Sequence, residues 1–118
     1  MTDNPHLLDY AEQVLNGEIA LGSSGARTAA LLARCALEDW LDAKSAAWLS
    51  TTYPFPSARS KLVALEALGD RDVGERAQRV WNALSRNVHH HAYELQPSAA
   101  EVWLLVAQVR DLGRSTPL

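Results

Sequence analysis

Apolar residues recur along this chain at helical spacing, and no stretch shows the strict alternation of a half-buried strand. Leu7, Leu8, Ala11, Val14 and Leu15 form the first stripe. It predicts a helix capped by Asn4, with Pro5 at the first helical position, where a missing N–H costs nothing. Asn16-Gly17 ends it. Residues 18–24 read as a loop with one apolar patch, Ile19-Ala20-Leu21. Gly22-Ser23-Ser24-Gly25 has the look of a phosphate cradle, but no strand precedes it and no Gly-Lys-Ser/Thr closes it, so it reads as a connector and helix cap.

The second stripe is Ala29, Leu32, Ala33, Ala36, Leu37, Trp40, Leu41, Ala47 and Trp48, which predicts a helix from Ala26 to Leu49. Arg34, Glu38, Asp42 and Lys44 fall mostly on its other side, and Glu38 and Asp42 read as a solvated acidic face. Pro54 and Pro56 then forbid a continuing helix, and Tyr53 and Phe55 are expected to cover an end of the core. Ser57 caps a short helix carrying Leu62, Val63, Leu65, Ala67 and Leu68, stopped by Gly69 and apolar enough to be well buried.

Asp72-Val73-Gly74-Glu75 reads as a capping box. The helix it opens is expected to reach Tyr93 or Glu94, with a seam of Val73, Ala77, Val80, Trp81, Leu84 and Val88 that extends to His91. Pro97 breaks the chain. Ser98-Ala99-Ala100-Glu101 caps a last helix that buries Val102, Leu105, Val106, Val109 and Leu112 and stops at Gly113. The pattern predicts an all-α fold, an antiparallel helical bundle of four main helices plus a short one. One domain spans residues 1–118, with flexible ends at 1–3 and 114–118.

Composition fits that picture. Hydrophobic residues make up 47% and charged residues 21%, so an ordinary core is affordable. The net charge of −3 argues against a molecule that attracts nucleic acid over its whole surface, while leaving room for a local basic patch. The one cysteine, Cys35, excludes an internal disulfide and a cysteine-rich zinc cluster, and reads as a small buried hydrophobe in a reducing compartment. No signal peptide is evident, and no apolar run approaches the roughly 18 residues that span a membrane, so a cytoplasmic, non-membrane protein is expected.

Candidate chemistry concentrates in Ser85-Arg86-Asn87-Val88-His89-His90-His91-Ala92-Tyr93-Glu94. At about 100° per residue, Arg86, His89, His90 and Tyr93 share one helix face, and Glu94 stacks over His90. His91 lies about 140° from Arg86, over Leu84 and Val88. Three readings compete. His90 and Glu94 can ligate zinc, with a third ligand from His6, Glu38 or Asp42, but no His-Glu-x-x-His is present. His91 can instead be a satisfied core histidine, with Arg86 paired to Glu94 or another carboxylate. The third reading is metal-free phosphodiester cleavage. A neutral His takes the proton of a ribose 2′-OH, and an Arg binds the phosphate oxygens on which charge builds. One chain does not easily aim Arg86 and His91 at one phosphate; two copies at a twofold axis do, or Arg86 acts with His90 within one chain.

Arg86-Asn87-Val88-His89-His90-His91-Ala92-Tyr93 has the form R-N-x-x-x-H-x-Y. This resembles the signature of the HEPN superfamily (higher eukaryotes and prokaryotes nucleotide-binding), especially the HepT-type toxins. Their motif also lies late in a small helical bundle, on a helix followed by one more. The resemblance implies a homodimer with the motif at its interface, acting as a metal-independent endoribonuclease that leaves 2′,3′-cyclic phosphate ends and needs no cofactor. It implies catalytic roles for Arg86, which holds the phosphate, His91, the acid–base, and Asn87, which orients the site. His89, His90 and Tyr93, on the helix face expected to carry Arg86, are the candidate binding residues. Tyr93 matches the tyrosine that a partner nucleotidyltransferase antitoxin modifies with AMP. The rival reading is a non-catalytic helical module that binds a protein or nucleotide through the same surface.

Overall fold

The computed structural model describes residues 5–22, 25–45, 57–88 and 98–115. All five elements among them are helices: α1 (Pro5–Leu15), α2 (Gly25–Ser45), α3 (Ala58–Leu68), α4 (Arg71–Val88) and α5 (Ala99–Ser115). The all-helical expectation holds for the described residues.

The helices begin and end where local hydrogen bonding allows. α1 closes at Asn16-Gly17: the Asn16 amide donates to the Glu12 carbonyl at 2.9 Å, and Gly17 takes φ +89, which an L side chain resists. Asn16 Oδ1 then accepts the Glu18 amide at 3.0 Å, turning the chain toward α2. Ser57 caps α3 by accepting the Ser60 amide at 3.1 Å, and Ser98 caps α5 by accepting the Glu101 amide at 3.0 Å.

The cap of α4 differs from expectation. Asp70, not Asp72, accepts the Val73 amide at 3.2 Å, and Gly74 donates to the Asp70 carbonyl at 2.8 Å. Gly69 ends α3, so only Gly69 and Asp70 separate the two helices. Asp70 therefore reaches the first free N–H groups, and Asp72 falls within the first turn. At the other end of the chain, α5 does not stop at Gly113 but continues through Arg114 and Ser115.

α2 is the structural centre. It packs against all four other helices, which line up around it in the order α1, α5, α4, α3; α1 touches neither α3 nor α4. Ala29, Ala30, Ala33, Ala36, Leu37 and Leu41 of α2 are buried. Their partners include Leu8, Ala11 and Val14 from α1, Leu62 and Leu65 from α3, Val73, Ala77, Val80 and Leu84 from α4, and the whole expected α5 stripe. Each fully buried Leu contributes about 2 kcal/mol relative to exposure. The alanines let neighbouring helices come close on more than one side.

α3 and α4 approach closely at Gly74. A Cβ there would sit 2.6 Å from Glu66 Cα and 2.8 Å from Glu66 N, so only glycine fits. α3 is less buried than its apolar content suggests: Val63 is 56% exposed, and Ala67 is exposed too. Among the described helices it meets only α2 and α4, and neither covers its outer face. Arg110 ties α5 to α1, with Nη2 at 3.0 Å from Asp9 Oδ1 and 2.9 Å from Glu12 Oε2.

Candidate functional site

The Arg–His stretch begins at the end of α4. That helix carries two sharply different faces. Val73, Ala77, Val80 and Leu84 face the core, whereas Arg71, Asp72, Arg79, Asn82 and Arg86 are exposed. Steps of three and four along the sequence produce both faces at once.

Arg86 occupies the last turn of α4 and is exposed. No carboxylate among the described residues forms an ion pair with it. A guanidinium fork of this kind can bind two oxygens of one phosphate at once. Immediately before it, the Ser85 hydroxyl is buried without a hydrogen-bond partner. Asn87 follows on the same helix. His89, His90, His91, Tyr93 and Glu94 lie outside the described residues, as does the part of α4's expected course beyond Val88. Within the described residues, then, Arg86 stands at the edge of the site without its expected partners.

The third ligands considered for a metal are elsewhere engaged or remote. Glu38 lies 3.8 Å from Arg34 Nε, and Asp42 pairs with Lys61 on α3. The acidic face expected on α2 is thus partly neutralised rather than simply solvated. His6 is on α1, which makes no contact with α4. Among the described residues no group of three His, Cys, Asp or Glu side chains is placed to hold a metal ion.

Two features were not legible in the sequence. One is a cleft of about 290 Å³ between α2 and α3, lined by Glu38, Asp39, Leu41, Asp42, Ala58 and Lys61. Three carboxylates against one lysine make it repel a phosphate. The closely spaced acids were visible, but not the helix that would face them. The other is the stacking of Arg34 over the Trp81 ring, 4.3 Å from its centroid, which joins α2 to α4 beside the exposed face.

Cys35 is free and half-buried rather than fully buried. Burial pushes its thiol pKa up, and the negative charges of Glu38 and Asp39 push it further, against the opposing effect of Arg34. Such a thiol stays protonated near neutrality and is a poor nucleophile. No helix among the described residues is long and apolar enough to cross a membrane.

Comparison with protein-family models, curated proteins and solved structures finds no match to this chain.

Proposed function

We propose that the chain is a metal-independent endoribonuclease of the HEPN type. In this reading the helices form an antiparallel HEPN-like bundle, and two copies pair so that Arg86 of one and His91 of the other meet at a ribose phosphate. Arg86 binds the phosphate oxygens and His91 takes the 2′-OH proton, while Asn87 orients the site. His89, His90 and Tyr93 contact the RNA. A nucleotidyltransferase antitoxin that modifies Tyr93 would complete a toxin–antitoxin pair.

The observation that carries the reading is the state of Arg86. It is exposed, has no ion-pair partner among the described residues, and stands in the last turn of α4, three residues before the histidine run in the sequence. Arg110, by contrast, is committed to Asp9 and Glu12.

The test is cleavage of RNA by the purified protein in excess chelator. Arg86→Ala and His91→Ala should each abolish cleavage and the 2′,3′-cyclic phosphate product while leaving the melting temperature unchanged. Sedimentation should give a dimer at micromolar concentration. A wild-type protein that leaves RNA intact would sink the reading.

The second reading is a non-catalytic binding module. It is favoured by the outward side of α5, where Trp103 and Leu104 are 37% and 59% exposed. Large exposed apolar side chains of this kind anchor partner proteins. That module would show no cleavage, and Trp103→Ala would abolish its partner binding.

A further inference from the structure

The exposed face of α4 carries positive charge beyond Arg86. From Arg76 to Val88 the helix holds Arg76, Arg79 and Arg86 and no Asp or Glu, in a chain whose net charge is −3. None of these three arginines forms an ion pair with a described residue, whereas Arg71, at the start of the helix, is held by Glu75 at 3.5 Å. Arg79 and Arg86 are seven residues apart, so they fall within about 20° of one line along the helix. Their Cα atoms are separated by about 10 Å of rise. Asn82 lies between them and is exposed.

We propose that this face of α4 is a rail for a single-stranded RNA backbone, with Arg79 and Arg86 on successive or alternate phosphates and Asn82 donating between them. The proposal rests on the ribonuclease reading for the choice of a ribose polymer and extends it to a second, non-catalytic arginine. Attack by a 2′-OH needs its oxygen in line with the leaving oxygen, which an unpaired strand can adopt and a regular duplex resists. The surface does not suit the other polyanions equally well. A membrane would need large apolar side chains to insert, and none is exposed among the described side chains of α4. An acidic protein would be expected to meet an aromatic anchor, yet Trp81 is tucked beneath Arg34.

The experiment uses the full chain and a fluorescein-labelled 20-nucleotide oligouridylate, 2′-O-methylated throughout so that it cannot be cleaved. Anisotropy titrations are run at several KCl concentrations with wild type, Arg79→Glu, Asn82→Asp and, as a charge-matched control on α3, Arg59→Glu. Circular dichroism checks that each variant melts as wild type does. Arg79→Glu should weaken binding at least tenfold and Asn82→Asp several-fold, with Arg59→Glu within twofold. Arg79→Gln should flatten the slope of log K against log salt by about 0.7, one phosphate contact on a single strand. Equal affinity of Arg79→Glu and Arg59→Glu would overturn the proposal, as would absence of wild-type binding or equally effective competition by polyglutamate. Cleavage of unmodified RNA is scored separately. Cleavage with an unaltered Arg79→Glu titration removes the rail alone, whereas Arg79-dependent binding without cleavage removes the catalytic reading alone.

Discussion

Among the described residues α2 and α4 are the two longest helices, at 21 and 18 residues, and they use their surfaces in opposite ways. α2 touches every other helix, so apolar and small residues cover it on several sides. Several of its charged side chains are committed: Arg34 to Glu38 and the Trp81 ring, Asp42 to Lys61. Among the described helices α4 meets only α2, α3 and α5, and its exposed face carries Arg79 and Arg86, neither in an ion pair with a described residue. A helix at the centre of a fold spends its surface on packing. One at the periphery can hold unpaired charge for a ligand, and that difference is what points to α4 as the working surface.

The contrast is broken most severely from the α2 side. Leu37 is fully buried. Leu37→Ala should destabilise the protein by about 3 kcal/mol, from lost transfer energy plus the cavity left behind. Urea denaturation reads this as a lowered midpoint. A loss below about 2 kcal/mol, the floor for such truncations, would mean that α2 is not the hub.

Gly74→Ala tests where α4 gives up its freedom. The added methyl would meet backbone atoms of Glu66 at 2.6 and 2.8 Å, and backbone cannot swing aside as a side chain does. Overpacking of this kind costs about 1–3 kcal/mol and opposes the roughly 1 kcal/mol by which alanine favours a helix. The clash should win, lowering the melting temperature. A raised melting temperature would show that α3 and α4 are not in close contact there.

Asp70→Ala should cost about 1 kcal/mol by removing the acceptor for the Val73 amide, while Asp72→Ala should cost less. The pair of variants separates the observed cap from the one the sequence suggested. Both aspartates precede a helical run, and Asp72 has Glu75 at the right spacing for a box, so pattern alone favoured it. What decides is where α3 stops: Gly69 leaves Asp70 as the residue that meets free N–H groups. Elsewhere local signals sufficed. Ser57 and Ser98 cap as expected, Asn16-Gly17 closes α1, and all five core positions expected on α5 are buried. Positions set by distant parts of the chain were not legible. Val63 is apolar yet exposed because no described helix reaches it, Gly74 is needed because of Glu66 on another helix, and α2 is central because of a packing order no periodicity encodes. For the site, the residue types and their order along the chain could be read. Arg86 could be placed at its end, while His89, His90, His91 and Tyr93 lie outside the described residues.

The smallest effect gives the sharpest contrast, because it compares two arginines in different employment. Arg110 holds Asp9 and Glu12 of α1. Half-burial disfavours its charge, but the hydrogen bonds to the two carboxylates outweigh that and raise its pKa, so the pair persists across any pH at which the carboxylates are ionised. Asp9 and Glu12 are themselves substantially exposed, so solvent screening limits the bridge to about 0.5–1 kcal/mol, and Arg110→Ala should lose that much in urea denaturation. Arg79→Ala should stay within about 0.5 kcal/mol of wild type, since it removes no internal partner. A double substitution should then add, because the two sites share no contact. If Arg79→Ala proved as costly as Arg110→Ala, the free face of α4 would be carrying a structural pair, and the surface proposed for RNA would be part of the scaffold.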